Sequence, residues 1–279
     1  MPVNQRGPAL LQPVIRRLLP VLLVAGCGAA TPDSSRTVTV LLPSSLLGAS
    51  RDLSDEFRAP DTTISVQLQV MGTPELVTAL ERGGAGSVLI TGDKAWMDYA
   101  LERGLVGAPA PIAASTVVLV ASTSGVAPDL MRSPVNLASP GVRVALAGPD
   151  VPLGRYAREL LGRMATVIGY GGDFAERVEL GAVAEDPSAE AVLQRLQRGE
   201  ADAAIIFRSA LASDSTGSYR ALPLPVESPR ATWYAARVIQ PDSVVQDSSV
   251  ARQFLEFLRG NEGQAVLERH GFEKVGSDK

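Results

Sequence analysis

The sequence predicts an α/β fold built on parallel sheets with helices on both faces. Three observations carry this. Strand-like and helix-like segments alternate along most of the chain, the pattern of βαβ units. Some strand-like segments, such as Val88-Leu89-Ile90 and Ala203 to Phe207, are short continuous apolar runs, as in strands buried on both faces. Several helix-like segments open on start signals, among them Gly72-Thr73-Pro74-Glu75 and Asp93.

Taken in order, Thr37 to Leu42 is a β-rich run closed by Pro43, and Leu46, Leu47, Leu53 and Phe57 recur at helical spacing. Ile64, Val66, Leu68 and Val70 alternate with polar residues, which predicts a half-buried strand. Thr73 suits a helix cap and Pro74 the first turn that follows. Val88 to Ile90 is a strand, and Asp93 opens a helix through Leu101. Val117 to Val120 and Val142 to Leu146 are strands, and Leu153 to Met164 is a helix. Glu190 to Arg198 is a helix, with strands at Ala203 to Phe207 and Trp233 to Ile239. Helices near Val250 to Leu258 and Gln264 to Arg269 close the chain. Sheets of this kind bind ligands beyond the carboxyl ends of their strands, where helix N-termini offer free N–H groups and a positive dipole end. The places to inspect are therefore Pro43 to Leu46, Gly72 to Glu75, Gly148 to Gly154 and Asp186 to Glu190.

The first residues read as an address. Arg16 and Arg17 precede an apolar run from Leu18 to Ala25, which ends in Val24-Ala25-Gly26 and the only cysteine of the chain, Cys27. A positive region, a short apolar stretch and small residues make a secretory signal, and the run is too short to span a bilayer. A cysteine just after the small residues resembles the bacterial lipoprotein signal, in which the sulfur carries a diacylglycerol that holds the protein on a membrane surface. The expected division is a lipoprotein signal peptide over 1–26 and a tether over 27–36. The working compartment is then outside the cytoplasm, periplasmic or at the cell surface.

Charge and composition exclude several functions. The chain has 26 Lys and Arg against 30 Asp and Glu, a net charge of −4, and loss of Arg6, Arg16 and Arg17 with the leader makes the remainder more acidic. Nucleic-acid binding, which needs clustered cations, is not expected. A lone cysteine rules out a disulfide framework. The single histidine, His270, sits beside Gly271 near the end of the last helix, so neither a metal site nor a Ser-His triad has support. The glycines at 169, 171 and 172 follow a helix rather than a strand and read poorly as a nucleotide loop. What remains is hydroxyls and backbone donors at helix starts, each of which alone is an ordinary cap.

Two stretches carry more. Gly92-Asp93-Lys94-Ala95-Trp96-Met97-Asp98-Tyr99-Ala100 resembles a segment of periplasmic molybdate-binding proteins, the solute receptors of molybdate ABC transporters. Gly148-Pro149-Asp150-Val151-Pro152-Leu153-Gly154-Arg155-Tyr156-Ala157 is similar to a second segment of the same family. The stretches 199–206 and 267–272 add support in the same order. The resemblance implies a type II periplasmic binding protein fold: two α/β lobes joined by two crossing strands, with the ligand in the cleft. It puts the first lobe at 37–117 and 210–279 and the second at 118–209, with the first crossing near Val117 to Val120 and the second after Phe207.

The same resemblance implies a tetrahedral oxyanion held by neutral donors from both lobes. Carried over by motif, these fall on the hydroxyls of Ser45 and Thr73, the backbone N–H of Leu153 and that of Ala189. The family's tyrosine falls on Phe207, which has no hydroxyl. Pro74 stands where a residue with an N–H would serve, and Ser87 replaces an aspartate. Donors without acceptors suit a dianion that carries no proton at neutral pH, which favours molybdate, tungstate or sulfate over protonated phosphate. The expected protein is a monomeric, lipid-anchored receptor that needs no cofactor, performs no catalysis and delivers its oxyanion to an ABC permease. Its rivals are a receptor of the same fold for another anion or small organic ligand, a serine hydrolase using Ser44 or Ser45, and an interaction lipoprotein whose site has decayed.

Overall fold

The computed structural model describes residues 36–123, 131–214, 217–239 and 248–275. The leader, Cys27 and most of the tether lie outside the described residues. Among the described residues no helix is long and apolar enough to cross a membrane.

Among the described residues nine strands form a sheet in two halves. In the first half β1 (Thr37–Pro43) lies between β2 (Ser65–Met71) and β3 (Val88–Thr91), parallel to both. The near-continuous burial of β1 and the exposed edge of β2 follow from a β-rich, largely apolar run in one and apolar–polar alternation in the other. In the second half β5 (Val144–Ala147) runs parallel to β6 (Ala182–Asp186) and β7 (Ala203–Phe207). Between the halves stands β4 (Ala110–Ser122), thirteen residues long. Its first part pairs antiparallel with β9 (Arg230–Arg237), and its second part pairs antiparallel with β7. The resulting order is β2-β1-β3-β9-β4-β7-β5-β6, with the short β8 (Tyr219–Ala221) on the end of β4. The sheet is thus mixed rather than parallel throughout, with a parallel group in each half and antiparallel strands where the halves meet.

Helices α1 (Leu47–Arg58), α2 (Thr73–Glu81), α3 (Lys94–Glu102), α7 (Ser248–Arg259) and α8 (Asn261–Arg269) cover the first half. Helices α4 (Pro152–Ala165), α5 (Phe174–Leu180) and α6 (Ala189–Gln197) cover the second. Buried residues on α1 (Ala49, Leu53, Phe57) and α4 (Leu153, Ala157, Leu160, Leu161, Met164) fall on one stripe of each helix, which is the driving force for docking. Phe57 meets Phe254 of α7 edge-on, ring centroids 4.9 Å apart, and locks α1 to the closing helices.

The expected elements recur with shifted ends and several departures. A 3₁₀ turn at Ser44–Leu46 precedes α1. The sequence shows β4 only at Val117 to Val120, because Ala and Ser have little strand preference; pairing with β9 extends it backwards. Helix α5 and strand β6 were not expected at all. One has seven residues, and the other alternates half-buried and exposed positions without an apolar run. Strand β8, within the stretch expected in the first lobe, pairs with the second part of β4.

Candidate functional site

Four connections leave the carboxyl ends of parallel strands and enter helices side by side. They run from β1 into the 3₁₀ turn and α1, from β2 into α2, from β5 into α4 and from β6 into α6. The first four N–H groups of a helix have no intrahelical acceptor, and the dipole adds positive potential there. A small pocket of about 10 Å³, roughly one water-sized sphere, lies where these starts converge. Its wall includes Ser45, Thr73, Leu153, Ala189 and Phe207, all five residues marked in the sequence. No residue around it carries a charged side chain.

The hydroxyls are oriented by what they accept. Ser45 Oγ accepts from Trp233 Nε1 at 2.9 Å, and Thr73 Oγ1 accepts from the Gly92 N–H at 3.3 Å. Ser44 Oγ accepts from the Glu190 N–H at 3.4 Å, a bond that crosses from the first half to the second. A hydroxyl whose oxygen is already engaged by a donor is left with its own O–H to give. The set therefore presents donors and suits an acceptor-only ligand.

Thr73 is not the cap of α2, as the sequence suggested. Gly72 is, and the Glu75 side chain reaches back to accept from the Gly72 N–H at 3.2 Å. Thr73 is the first helical residue and Pro74 the second, so the missing proline N–H falls in the turn that has no intrahelical acceptor anyway. Ser188 caps α6, its Oγ accepting from the Ala191 N–H at 3.2 Å, and leaves Ala189 as the first helical residue. Ser87 lies away from the pocket, between β1 and β3, where its hydroxyl accepts from the Thr39 N–H at 3.0 Å.

Backbone meets backbone across the two halves. A Cβ on Gly72 would lie 2.6 Å from the Pro187 carbonyl oxygen, and one on Gly92 would lie 3.2 Å from Pro152 Cβ. Beside these contacts is a polar bridge. Asp93 caps α3 by accepting from the Trp96 N–H, and its other oxygen accepts from Arg155 Nε at 3.0 Å and from Arg155 Nη2. Trp96 Nε1 and Arg155 Nη1 both donate to the Asp150 carbonyl, at 2.6 and 3.0 Å. The two motifs that carried the resemblance are thus the two sides of one contact.

Phe207 is buried, with its ring in T-shaped contact with Trp233 at 4.8 Å and with Tyr156 at 6.3 Å. Burial, and then the charge of Asp93, push the Tyr156 phenol up to about 12, so it stays protonated. Trp233 went unmarked in the sequence. It sits on β9, far along the chain from Ser45, and no local signal tied it to that hydroxyl. His270 lines the same larger neighbouring space as Ser44 and Ser45, but its Nε2 is engaged with Asp52 at 2.9 Å. The serine oxygens have their partners elsewhere, which removes the arrangement a nucleophile needs. Among the described residues no cluster of His, Cys, Asp and Glu could hold a metal ion.

Comparison with known proteins agrees with this geometry. The family model described as bacterial extracellular solute-binding protein matches residues 38–273. The molybdate-binding protein ModA of Mycobacterium tuberculosis is 29% identical over 269 residues, covering 92% of this chain and 96% of that protein. The putative ABC transporter substrate-binding lipoprotein YvgL of Bacillus subtilis is 23% identical over 275 residues, with 92% and 96% covered. Among solved structures, the sulfate-binding protein SubI of M. tuberculosis superposes with a TM-score of 0.73 at 15% identity, covering 86% of this chain and 88% of that one. The periplasmic molybdate-binding protein of Azotobacter vinelandii gives 0.68 at 16%, with 85% and 98% covered.

Proposed function

The chain belongs to the bacterial extracellular solute-binding protein family, and from that premise we propose that it is the extracytoplasmic receptor of an ABC importer for molybdate-type oxyanions. One observation carries the reading: four helix starts and donor-oriented hydroxyls converge on a pocket without a charged side chain. Such a site rewards an anion through dipoles and N–H groups and offers nothing to a cation. Neutral donors also avoid the ion pair that would make release costly. The names of the relatives in M. tuberculosis and B. subtilis point the same way. Lobe one is then 37–117 with 210–279 and lobe two 118–209, although β8 pairs with the lobe-two part of β4, and the oxyanion enters as the lobes part. The receptor carries its ligand without chemical change. A second reading, sulfate as ligand, is favoured by the likeness to the sulfate-binding protein SubI. Thermal melting with molybdate, tungstate, sulfate and phosphate in parallel tests both. An oxyanion at about a thousand times its Kd adds roughly 4 kcal/mol of stability, or about 10 °C in Tm. No shift with any of the four overturns the oxyanion reading.

The hydroxyls separate by substitution. Ser45→Ala and Thr73→Ala are each expected to weaken oxyanion binding at least tenfold, since a hydrogen bond to a charged group contributes ~1.5–3 kcal/mol. Thr73→Ser keeps the hydroxyl and binds nearly as the parent does. Calorimetry showing full affinity in both alanine variants removes these residues from the site.

The anchor is proposed on Val24-Ala25-Gly26-Cys27, with support from the lipoprotein named among the relatives. Cys27→Ser is expected to release the protein from membranes during normal secretion. Intact mass of the membrane-derived parent protein checks it: an unmodified Cys27 sinks the proposal.

A further inference from the structure

Next to the small pocket lies a larger space of about 230 Å³, continuous with it through Ser44, Ser45, Leu153, Ala189 and Phe207. An inorganic tetrahedral ion has no use for that volume, which approaches the range of organic-ligand pockets. Its wall has a definite chemistry. Ser209 is 3% exposed, lines the space, and its hydroxyl has no hydrogen-bond partner. Buried hydroxyls are almost always paired, so an unpaired one in the wall of a cavity asks for a ligand group. Tyr219 contributes a second buried hydroxyl to the same wall. Glu190 and Asp214 border the space too and disfavour a second negative charge there. At the junction of the two spaces Phe207 offers ring carbon and no donor. That suits an ester oxygen, a far weaker acceptor than a terminal oxyanion oxygen.

We propose that the site also takes phosphate monoesters of small polyols, with the phosphoryl group at the helix starts and the neutral hydroxylated chain against Phe207 and Ser209. The proposal rests on the oxyanion reading above and extends it to a substituted oxyanion. A monoester has its second pKa near 6, so above about pH 7.5 it is a dianion that needs only donors from its terminal-oxygen site. The chain hydroxyls give Ser209 a partner, and the apolar walls cover the carbons.

The test is calorimetry at pH 8 on the full-length protein with molybdate, methyl phosphate and glycerol 1-phosphate. Glycerol 1-phosphate is expected to bind at least tenfold more tightly than methyl phosphate. Ser209→Ala, which removes only an unpaired hydroxyl, reduces that ratio several-fold. Ala210→Leu, which puts bulk into the larger space, brings the ratio close to one. Equal binding of the two esters by a protein that binds molybdate overturns the inference and leaves the oxyanion reading standing. Absence of binding by all three ligands overturns both.

Discussion

Gly154→Ala is expected to cost at least about 3 kcal/mol of stability and to lower the Tm by roughly 10 °C. Gly154 is the third residue of α4, and a Cβ there would lie 2.0 Å from the Gly148 carbonyl oxygen and 2.6 Å from that of Ala147. These are backbone atoms at the end of β5, so no side chain can swing aside. The start of α4 has to lift off the strand it packs on. Lifting it also moves the Leu153 N–H, so the fraction that folds is expected to bind oxyanion weakly. Gly162, on the same helix, is the control. A Cβ there meets nothing within 4 Å, and alanine in an exposed helix interior is worth about 0.5–1 kcal/mol over glycine. Gly162→Ala is therefore expected to be neutral or stabilising. Thermal unfolding of the two variants side by side checks the argument. Equal effects would mean that the close approach at Gly154 does not constrain the fold.

The same glycine shows what the sequence could and could not say. Its motif was visible as a resemblance, but the reason for glycine there is a contact with carbonyls that only folding brings into place. Strands with continuous apolar runs, such as Val88 to Ile90 and Ala203 to Phe207, were legible because burial on both faces writes itself into composition. Helix α5 and strand β6 were not, because each is short and held by its neighbours. The five marked residues line one pocket; helix-start physics marked the stretches that hold Ser45, Thr73, Leu153 and Ala189, but only the resemblance singled out the residues within them and Phe207. What gives Ser45 its direction is Trp233, and what gives Thr73 its direction is Gly92. Both partners are long-range, and no periodicity or spacing announces them.

Arg155→Ala is expected to weaken oxyanion binding by ten- to a hundredfold while lowering the Tm by only a few degrees. Asp93 on the first half of the sheet and Arg155 on the second form a pair in which the carboxylate is 6% and the guanidinium 35% exposed. Arg155 also reaches the Asp150 carbonyl, where Trp96 Nε1 converges. The Arg155–Asp93 pair and the Trp96–Asp150 bond join the halves next to the pocket and exist only while the halves are together, whereas the Arg155–Asp150 bond lies within the second half. Removing the guanidinium leaves Asp93 still capping α3 and costs the second half only the exposed Arg155–Asp150 bond. What is lost is stabilisation of the closed arrangement, at ~1.5–3 kcal/mol for charge-assisted hydrogen bonds, discounted toward the low end for the exposed part of Arg155. A ligand that binds the closed arrangement then has to supply that difference itself, and its apparent affinity falls by the same factor. The dissociation rate is expected to rise most, because opening becomes easier. Small-angle scattering of the ligand-free variant should show a larger radius of gyration than the parent. Stopped-flow release and scattering together decide the matter: parent-like values in both would mean that the Asp93–Arg155 bridge does not govern closure.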